Sequence, residues 1–409
     1  TSNTTFYVQV KVVDNNNRES AVSNTTEQTQ YLNPTVNSVS ASNITSNSVR
    51  LTINATAGSN SIRRYYYSNN NGSSYVSSSS NSYTFSGLSS GTTYNFRVYV
   101  VDSGGIKSNE RTTSATTVSL TYICNTGTNL ASCIQSQYTS QGSNGIYYHT
   151  SSLANSAGDN SYRYAGSNPN NYVCFGSNDT QCSSNNLYRI IGVFGSEVKL
   201  IKADYTTTAM TGSGGDYYGA YPYSTRDYKG SMSTSNIASY YWNKDGINTW
   251  SASALNTTNL NNNFLNSFST TWQNKIATHT WYVRGYSRSA ATPKSFYNAE
   301  SSGTTWRGKI GLMYISDYGY ATSNSNWTKN VGSDSSTVNS NWMYMGISEW
   351  TISPWSSYST DVLIVHSSGV ISITELIRAA GAVRPVFYLT SSTTYVSGSG
   401  TQSDPIRIN

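Results

Sequence analysis

Chemistry in this chain would have to come from three histidines, a few scattered acids or four cysteines. His149, His279 and His366 stand far apart. No Ser-His-Asp or Glu-x-x-His spacing links any of them to a nucleophile or a metal partner. His279 alternates with Trp281 in a strand-like run and reads as structural, whereas His366 reads as exposed. Glycoside hydrolysis needs two carboxylates about 5 to 9.5 Å apart. Glu197, Glu300, Glu349 and Glu375 are isolated in sequence, so nothing favours that chemistry and nothing in the sequence removes it. Cys124 and Cys133 are 9 residues apart and Cys174 and Cys182 are 8 apart, each pair in a loop-like stretch. Zinc ligands usually lie two to four residues apart with histidines nearby, which neither pair satisfies. Two local disulfides are the simplest reading, although four cysteines allow three connectivities.

The surface that would carry these groups is unusual. Charged residues are 11% of the chain, against the usual quarter or so. Asn, Ser and Thr replace them, and Tyr reaches 35 against 9 Phe and 9 Trp. Tyrosine suits half-exposed sheet faces because its ring packs while its hydroxyl meets water. The net charge of +6 is spread without a cluster, which argues against nucleic-acid binding. No run of eighteen apolar residues exists, so no helical membrane span is expected. The composition is that of a secreted, β-rich protein, the disulfides fit such a setting, and no cofactor is expected.

An internal repeat organises the first part of the chain. Thr4-Thr5-Phe6-Tyr7-Val8-Gln9-Val10-Lys11-Val12-Val13-Asp14 matches Thr92-Thr93-Tyr94-Asn95-Phe96-Arg97-Val98-Tyr99-Val100-Val101-Asp102, an offset of 88 residues. That is about the length of one small β-sandwich. Residues 1–30 therefore read as the last strands of an incomplete sandwich, and 31–118 as a complete one. Two strands alone are marginal in water. The first copy needs cover from the next domain or from a neighbouring molecule, which would make self-assembly through residues 1–30 a route to fibres; a plain fragment is the competing expectation. Within 31–118, Val49, Leu51 and Ile53 alternate onto one face, Ile62–Tyr67 forms a second strand, and Tyr94, Phe96, Val98 and Val100 point inward.

Leu88, Gly91-Thr92, Tyr94, Phe96, Val98 and Asp102 with Gly105 resemble a fibronectin type III domain. The early-strand tryptophan of that family is missing, and Tyr65 or Tyr66 is expected in its place. The resemblance implies spacing and presentation rather than chemistry.

Residues 119–409 change in texture. Leu187–Phe194 and Val198–Lys202 read as a hairpin turning at Gly195-Ser196, residues 252–276 as helical with a break near Ser269-Thr270, and His279–Val283 as a strand. The segments Asn171-Tyr172-Val173, Leu187–Gly192, Trp306–Met313, Asn341–Met345, Glu349–Pro354 and Val383-Arg384-Pro385 resemble a C-type lectin-like domain of the formylglycine-generating-enzyme-like kind, found in uncharacterised secreted proteins of low-GC Gram-positive bacteria. The fold expected is thus mainly β: a fibronectin type III β-sandwich plus an α+β C-type lectin-like domain. The enzymes of that resemblance use late cysteines, and none follows Cys182. Its calcium-binding lectins use Glu-Pro-Asn and Trp-Asn-Asp runs; here only Ser348-Glu349-Trp350 and Asn341-Trp342 occur, so Trp342 and Trp350 read as core. The resemblance places its most exposed, ligand-facing region between Trp350 and Val383, with Trp355, Tyr358, Thr360, Asp361 and His366 as the contact set. The function expected is a non-enzymatic extracellular or cell-surface bacterial adhesin or fibre subunit, binding a glycan or protein. The alternatives are a purely structural filament assembled by strand complementation, or an unrecognised secreted hydrolase.

Overall fold

The computed structural model describes residues 4–23, 26–45, 48–88, 91–117, 123–179, 181–221, 228–287, 291–375 and 379–409. The chain divides into two compact units, Thr1–Leu120 and Thr121–Asn409, and is mainly β.

In the first unit, β1 (Thr4–Val8) pairs antiparallel with β2 (Thr26–Gln30). A sandwich follows: β3 (Thr35–Ser42), β4 (Val49–Thr56), β5 (Ile62–Ser68), β6 (Val76–Ser78), β7 (Ser82–Phe85), β8 (Thr93–Asp102) and β9 (Arg111–Thr116). They form sheets ordered β3-β4-β7 and β6-β5-β8-β9. The period-2 alternation puts Val49, Leu51, Ile53, Phe96, Val98 and Val100 into one core. After a register shift in β5 between Ile62 and Arg64, Tyr65 and Tyr67 face the core. Tyr67 is therefore the buried ring, flanked by half-buried Tyr65, while Tyr66 stacks on Tyr99 at 4.6 Å. That corrects the expectation for Tyr66 and leaves Tyr65 only the lesser share.

The repeat is kept in atomic detail. Asp102 Oδ1 accepts from the backbone N–H of Gly104 and Ile106, and Asp14 Oδ1 accepts from Asn16 and Arg18. The bridge Val101–Lys107 has its counterpart in Val13–Glu19 at the same offset. Val100 N–H donates to Ser108 Oγ at 3.0 Å, as Val12 N–H does to Ser20 Oγ. What differs is the cover. Phe96, Val98 and Val100 are wholly buried, whereas their counterparts Val8, Val10 and Val12 are 49%, 56% and 68% exposed.

The second unit is built on two sheets. The seven-stranded one runs in the order Ile146–Tyr148, Tyr162–Tyr164, Leu187–Phe194, Glu197–Lys202, Val386–Tyr388, Ile310–Gly311, with Tyr172–Cys174 also paired to Leu187–Phe194. The six-stranded one runs Tyr217–Ala220, Ala238–Tyr240, Gly381–Ala382, Glu349–Pro354, Asp361–Val365, Ile371–Glu375. The 187–202 hairpin and the 279–282 strand form as the sequence pattern predicts. The helical stretch is split as expected but wound differently. Leu255–Phe264 is a π-helix, and a short α-helix Thr270–Gln273 starts after Ser269. Tertiary bonds hold the π-helix: Asn259 Nδ2 donates to the Thr211 and Gly214 carbonyls, and Asn261 Nδ2 to the Ile310 carbonyl. Trp342 and Trp350 are core residues. Cys124 bonds Cys133, and Cys174 bonds Cys182. Cys133 lies inside the helix Leu130–Ser136 rather than in a loop, because Asn129 caps that helix four residues earlier.

The contrast between the two repeats gives a test. Leu51→Ala should lower the unfolding free energy of the first unit by about 2–5 kcal/mol. Val12→Ala should change it by no more than about 0.5 kcal/mol, as for an exposed position. Amide hydrogen exchange of residues 49–53 and 96–100 in urea reads this unit, whereas tryptophan fluorescence reads the other, which holds all nine Trp.

Candidate functional site

The ligand-facing region expected from sequence is the pair of turns around the strand Asp361–Val365. The preceding strand, Glu349–Pro354, is buried at every position. Trp350 Nε1 donates to the Tyr240 carbonyl, Thr351 Oγ1 to the Leu363 carbonyl and Ser353 Oγ to Glu300 Oε1. The chain then leaves the sheet through an irregular register between Trp350 and Pro354 and turns back at Trp355–Thr360.

One residue outside the segment fixes this turn. Asn248 Nδ2 donates to the carbonyls of Trp355, Tyr358 and Asp361 at 2.8–3.0 Å, and its backbone N–H donates to the Ser359 carbonyl at 2.7 Å. Gly285 passes beneath, where a Cβ would stand 2.7 Å from both the Pro354 carbonyl oxygen and the Ser356 nitrogen. That approach lets Tyr286 N–H donate to the Pro354 carbonyl and Ser356 N–H to the Tyr286 carbonyl.

The five expected contact residues do not form one set. Trp355 is only 9% exposed and packs into the main core, so the expectation of an exposed tryptophan anchor is corrected. Tyr358 is 65% exposed. Thr360 and Asp361 sit beside it, with Thr360 Oγ1 donating to Asp361 Oδ1 at 3.0 Å. His366 is exposed but lies in the turn at the other end of the strand, roughly 16 Å from Asp361 at strand rise. Its Nδ1 lies 2.8 Å from Ser368 Oγ. The rim is therefore Tyr358, Thr360 and Asp361, with Ile247, 53% exposed, on the adjoining loop that Asn248 ties to it. Asn248 escaped sequence reasoning because a lone Asn in an Asn-rich chain carries no signal.

Across the second unit, titratable groups are spent on structure. Glu300 accepts from the backbone N–H of Ile315 and Ser316 as well as from Ser353 Oγ, and burial pushes its carboxyl up. Arg384 forks onto Glu349 through Nε and Nη2 at 2.7 and 2.8 Å. Asp317 receives Lys199 and Arg163, and Arg163 also pairs with Asp159 at 2.6 Å. Burial works against the Asp159 carboxyl, but Arg163 and the Ser161 bonds outweigh it and bring it down to about 2. Glu197 pairs with His279, whose ring stacks on Tyr388 at 3.7 Å. Buried His149 accepts from Ala157 N–H at Nδ1; burial first, and then the Arg163 charge, hold its pKa well below the ordinary value. Among the described residues no group of three or more His, Cys, Asp or Glu could hold a metal ion, and no helix is long and apolar enough to cross a membrane.

Comparison with known proteins adds one assignment. Residues 33–117 match the fibronectin type III domain. No curated protein matches the chain. Similar solved structures include a myokine structure at 15% identity (22% of this chain, 99% of that chain, TM-score 0.19). Others are domains d3-d4 of the rat CD45 extracellular region at 20% identity (28% and 65%, TM-score 0.21) and the FN1-FN3 domains of chicken CNTN1 at 19% (29% and 44%, TM-score 0.19). The chain thus spans less than two thirds of the CD45 and CNTN1 fragments.

Two outcomes follow. Trp355→Ala should cost about 3–5 kcal/mol of unfolding free energy. Tyr358→Ala should leave it within about 0.5 kcal/mol, as read by tryptophan fluorescence in urea. A depressed histidine binds its proton in the unfolded chain only, so its stabilising effect is complete above the unfolded pKa near 6.5 and is lost as pH falls below it. The second unit should therefore lose about 1.4 kcal/mol per pH unit below 6.5 on account of His149, and His149→Asn should remove that part of the slope.

Proposed function

We propose that this is a non-enzymatic extracellular or cell-surface bacterial protein, an adhesin or fibre subunit, in which a fibronectin type III module carries a C-type lectin-like module that binds a glycan or protein. The observation that carries the reading is the fibronectin type III domain at 33–117, a module of extracellular adhesion and receptor-like proteins. The two disulfides support an oxidising compartment. The Tyr358–Thr360–Asp361 rim supports contact, since an exposed tyrosine on a clamped turn offers large area at little entropic cost. The committed state of Glu300, Glu349 and Asp317 favours binding over catalysis.

The second reading, assembly into filaments by strand complementation through residues 1–30, is favoured by the exposure of Val8, Val10 and Val12 where the other repeat buries its counterparts. Uncovered valines of this kind need a covering surface, and a strand supplied by a second copy can bring one through main-chain pairing.

The full chain applied to glycan and host-protein arrays should show specific binding that Tyr358→Ala removes. Binding retained by that variant would move the contact away from the rim. In sedimentation velocity, higher-order species that vanish with Val10→Asp/Val12→Asp or with deletion of residues 1–30 would support assembly. A monomer at all concentrations excludes it.

A further inference from the structure

A second part of the larger unit is built around an arginine that meets no carboxylate among the described residues. Arg189, on the central strand Leu187–Phe194, is 6% exposed, and its guanidinium carbon lies over two rings, 4.3 Å from the Tyr172 centroid and 4.5 Å from that of Trp342. Its Nε is well bonded, donating to Asn171 Oδ1 at 2.8 Å. The two terminal nitrogens are held loosely, at 3.2 Å from the Pro169 carbonyl, 3.4 Å from the Trp342 carbonyl and 3.5 Å from Asn168 Oδ1. Ordinary N–H···O bonds centre near 2.9–3.0 Å. Among the described residues no carboxylate pairs with this guanidinium. Burial, with Arg384 adding repulsion, brings it down to about 10. A buried cation in this state is expensive unless an anion comes to it.

The arginine faces space. A cavity of about 300 Å³ is lined by Arg189, Tyr172, Trp342, Tyr344, Lys229 and Asp204. Asp204 is already committed, accepting from the Tyr228 hydroxyl and from the backbone N–H of Tyr205 and Ser231. Lys202, immediately behind the wall, donates to the carbonyl of the lining residue Ser184 and is brought down to about 8 by burial. Positive charge therefore prevails around the cavity. The rest of its wall mixes hydroxyl and amide groups, among them Ser231, Asn341 and Gln402, with the apolar Leu187, Ala203 and Met345. The volume is at the small end of ligand pockets, which run from roughly 300 to 1,000 Å³, so the occupant is monosaccharide-sized.

We propose that this cavity binds a carboxylate-bearing monosaccharide, a hexuronic acid, with its carboxylate on the edge of Arg189 and its hydroxyls on the amide and hydroxyl wall. A guanidinium held against the Tyr172 and Trp342 rings, with its terminal nitrogens only loosely bonded, matches a carboxylate through two parallel bonds. Lys229 adds a second charge at the cavity wall, and the Tyr172, Trp342 and Tyr344 rings supply apolar edges for the sugar. This site is distinct from the Tyr358 rim, and the two stand or fall separately.

The test titrates the whole chain with glucuronate, with its methyl ester and with glucose at fixed ionic strength, by calorimetry and by tryptophan fluorescence, since Trp342 touches Arg189. Glucuronate should bind at least about tenfold more tightly than the ester or glucose, the weight of one charge-assisted contact at 1.4 kcal/mol per tenfold. Arg189→Gln should abolish this preference. Lys229→Ala should weaken glucuronate about threefold, a fraction of that tenfold step; it serves as the second variant if the first does not fold. Tyr358→Ala should leave glucuronate binding unchanged. The proposal is overturned if the ester binds as well as the acid, if glucuronate does not bind at about fifty millimolar, a concentration far above a millimolar Kd, or if the folded cavity variants bind like the wild type.

Discussion

Arg384 and Glu349 meet where the larger unit changes sheets, and that ion pair fixes much of what surrounds it. Glu349 opens the strand Glu349–Pro354 and pairs in parallel with Ala382 of the six-stranded sheet. Four residues after Ala382 the same chain enters the seven-stranded sheet as Val386–Tyr388. The guanidinium also takes the Met343 carbonyl, one residue from the Trp342 carbonyl that Arg189 holds. One buried fork therefore ties both sheets and the 341–345 loop. Burial raises the Glu349 carboxyl, and the arginine opposes that rise. Such a pair is weak evidence for net stability, but removing either partner leaves a charge stranded in the core. It acts as a positional lock.

Elsewhere asparagine does work that charged side chains do in other proteins. Asn171, Asn248, Asn259, Asn261 and Asn341 each bond to main-chain carbonyls across long stretches of sequence. An amide offers two donors and an acceptor without the desolvation cost of an ion. This explains how a chain with 11% charged residues keeps its long loops ordered. Among the described residues the wholly buried ion pairs fall in two clusters, one around Asp317 and one around Glu349.

Much of the first unit was legible because its signals are local. The 88-residue repeat, the alternation in β4 and β8 and the Asp102 turn all follow from short-range rules. The 187–202 hairpin and both disulfides were readable for the same reason. The candidate site was read less well. Trp355 was expected to be exposed because the resemblance places its most exposed face there, but the turn that carries it is tied to Asn248 and Tyr286, more than sixty residues upstream. His366 is near Tyr358 in sequence and far from it along the extended strand. Arg189 looked like an ordinary strand residue, since its rings come from positions 172 and 342.

The clamp on the 355–361 turn acts on carbonyl oxygens, and every amino acid brings the same carbonyl. Side chains at 356–360 can therefore be exchanged without disturbing the bonds that hold the turn, while Trp355 beneath it stays fixed by packing. Selection could thus rewrite the outer face many times over while the frame stays put, a separation of scaffold from specificity that lets new recognition evolve without refolding.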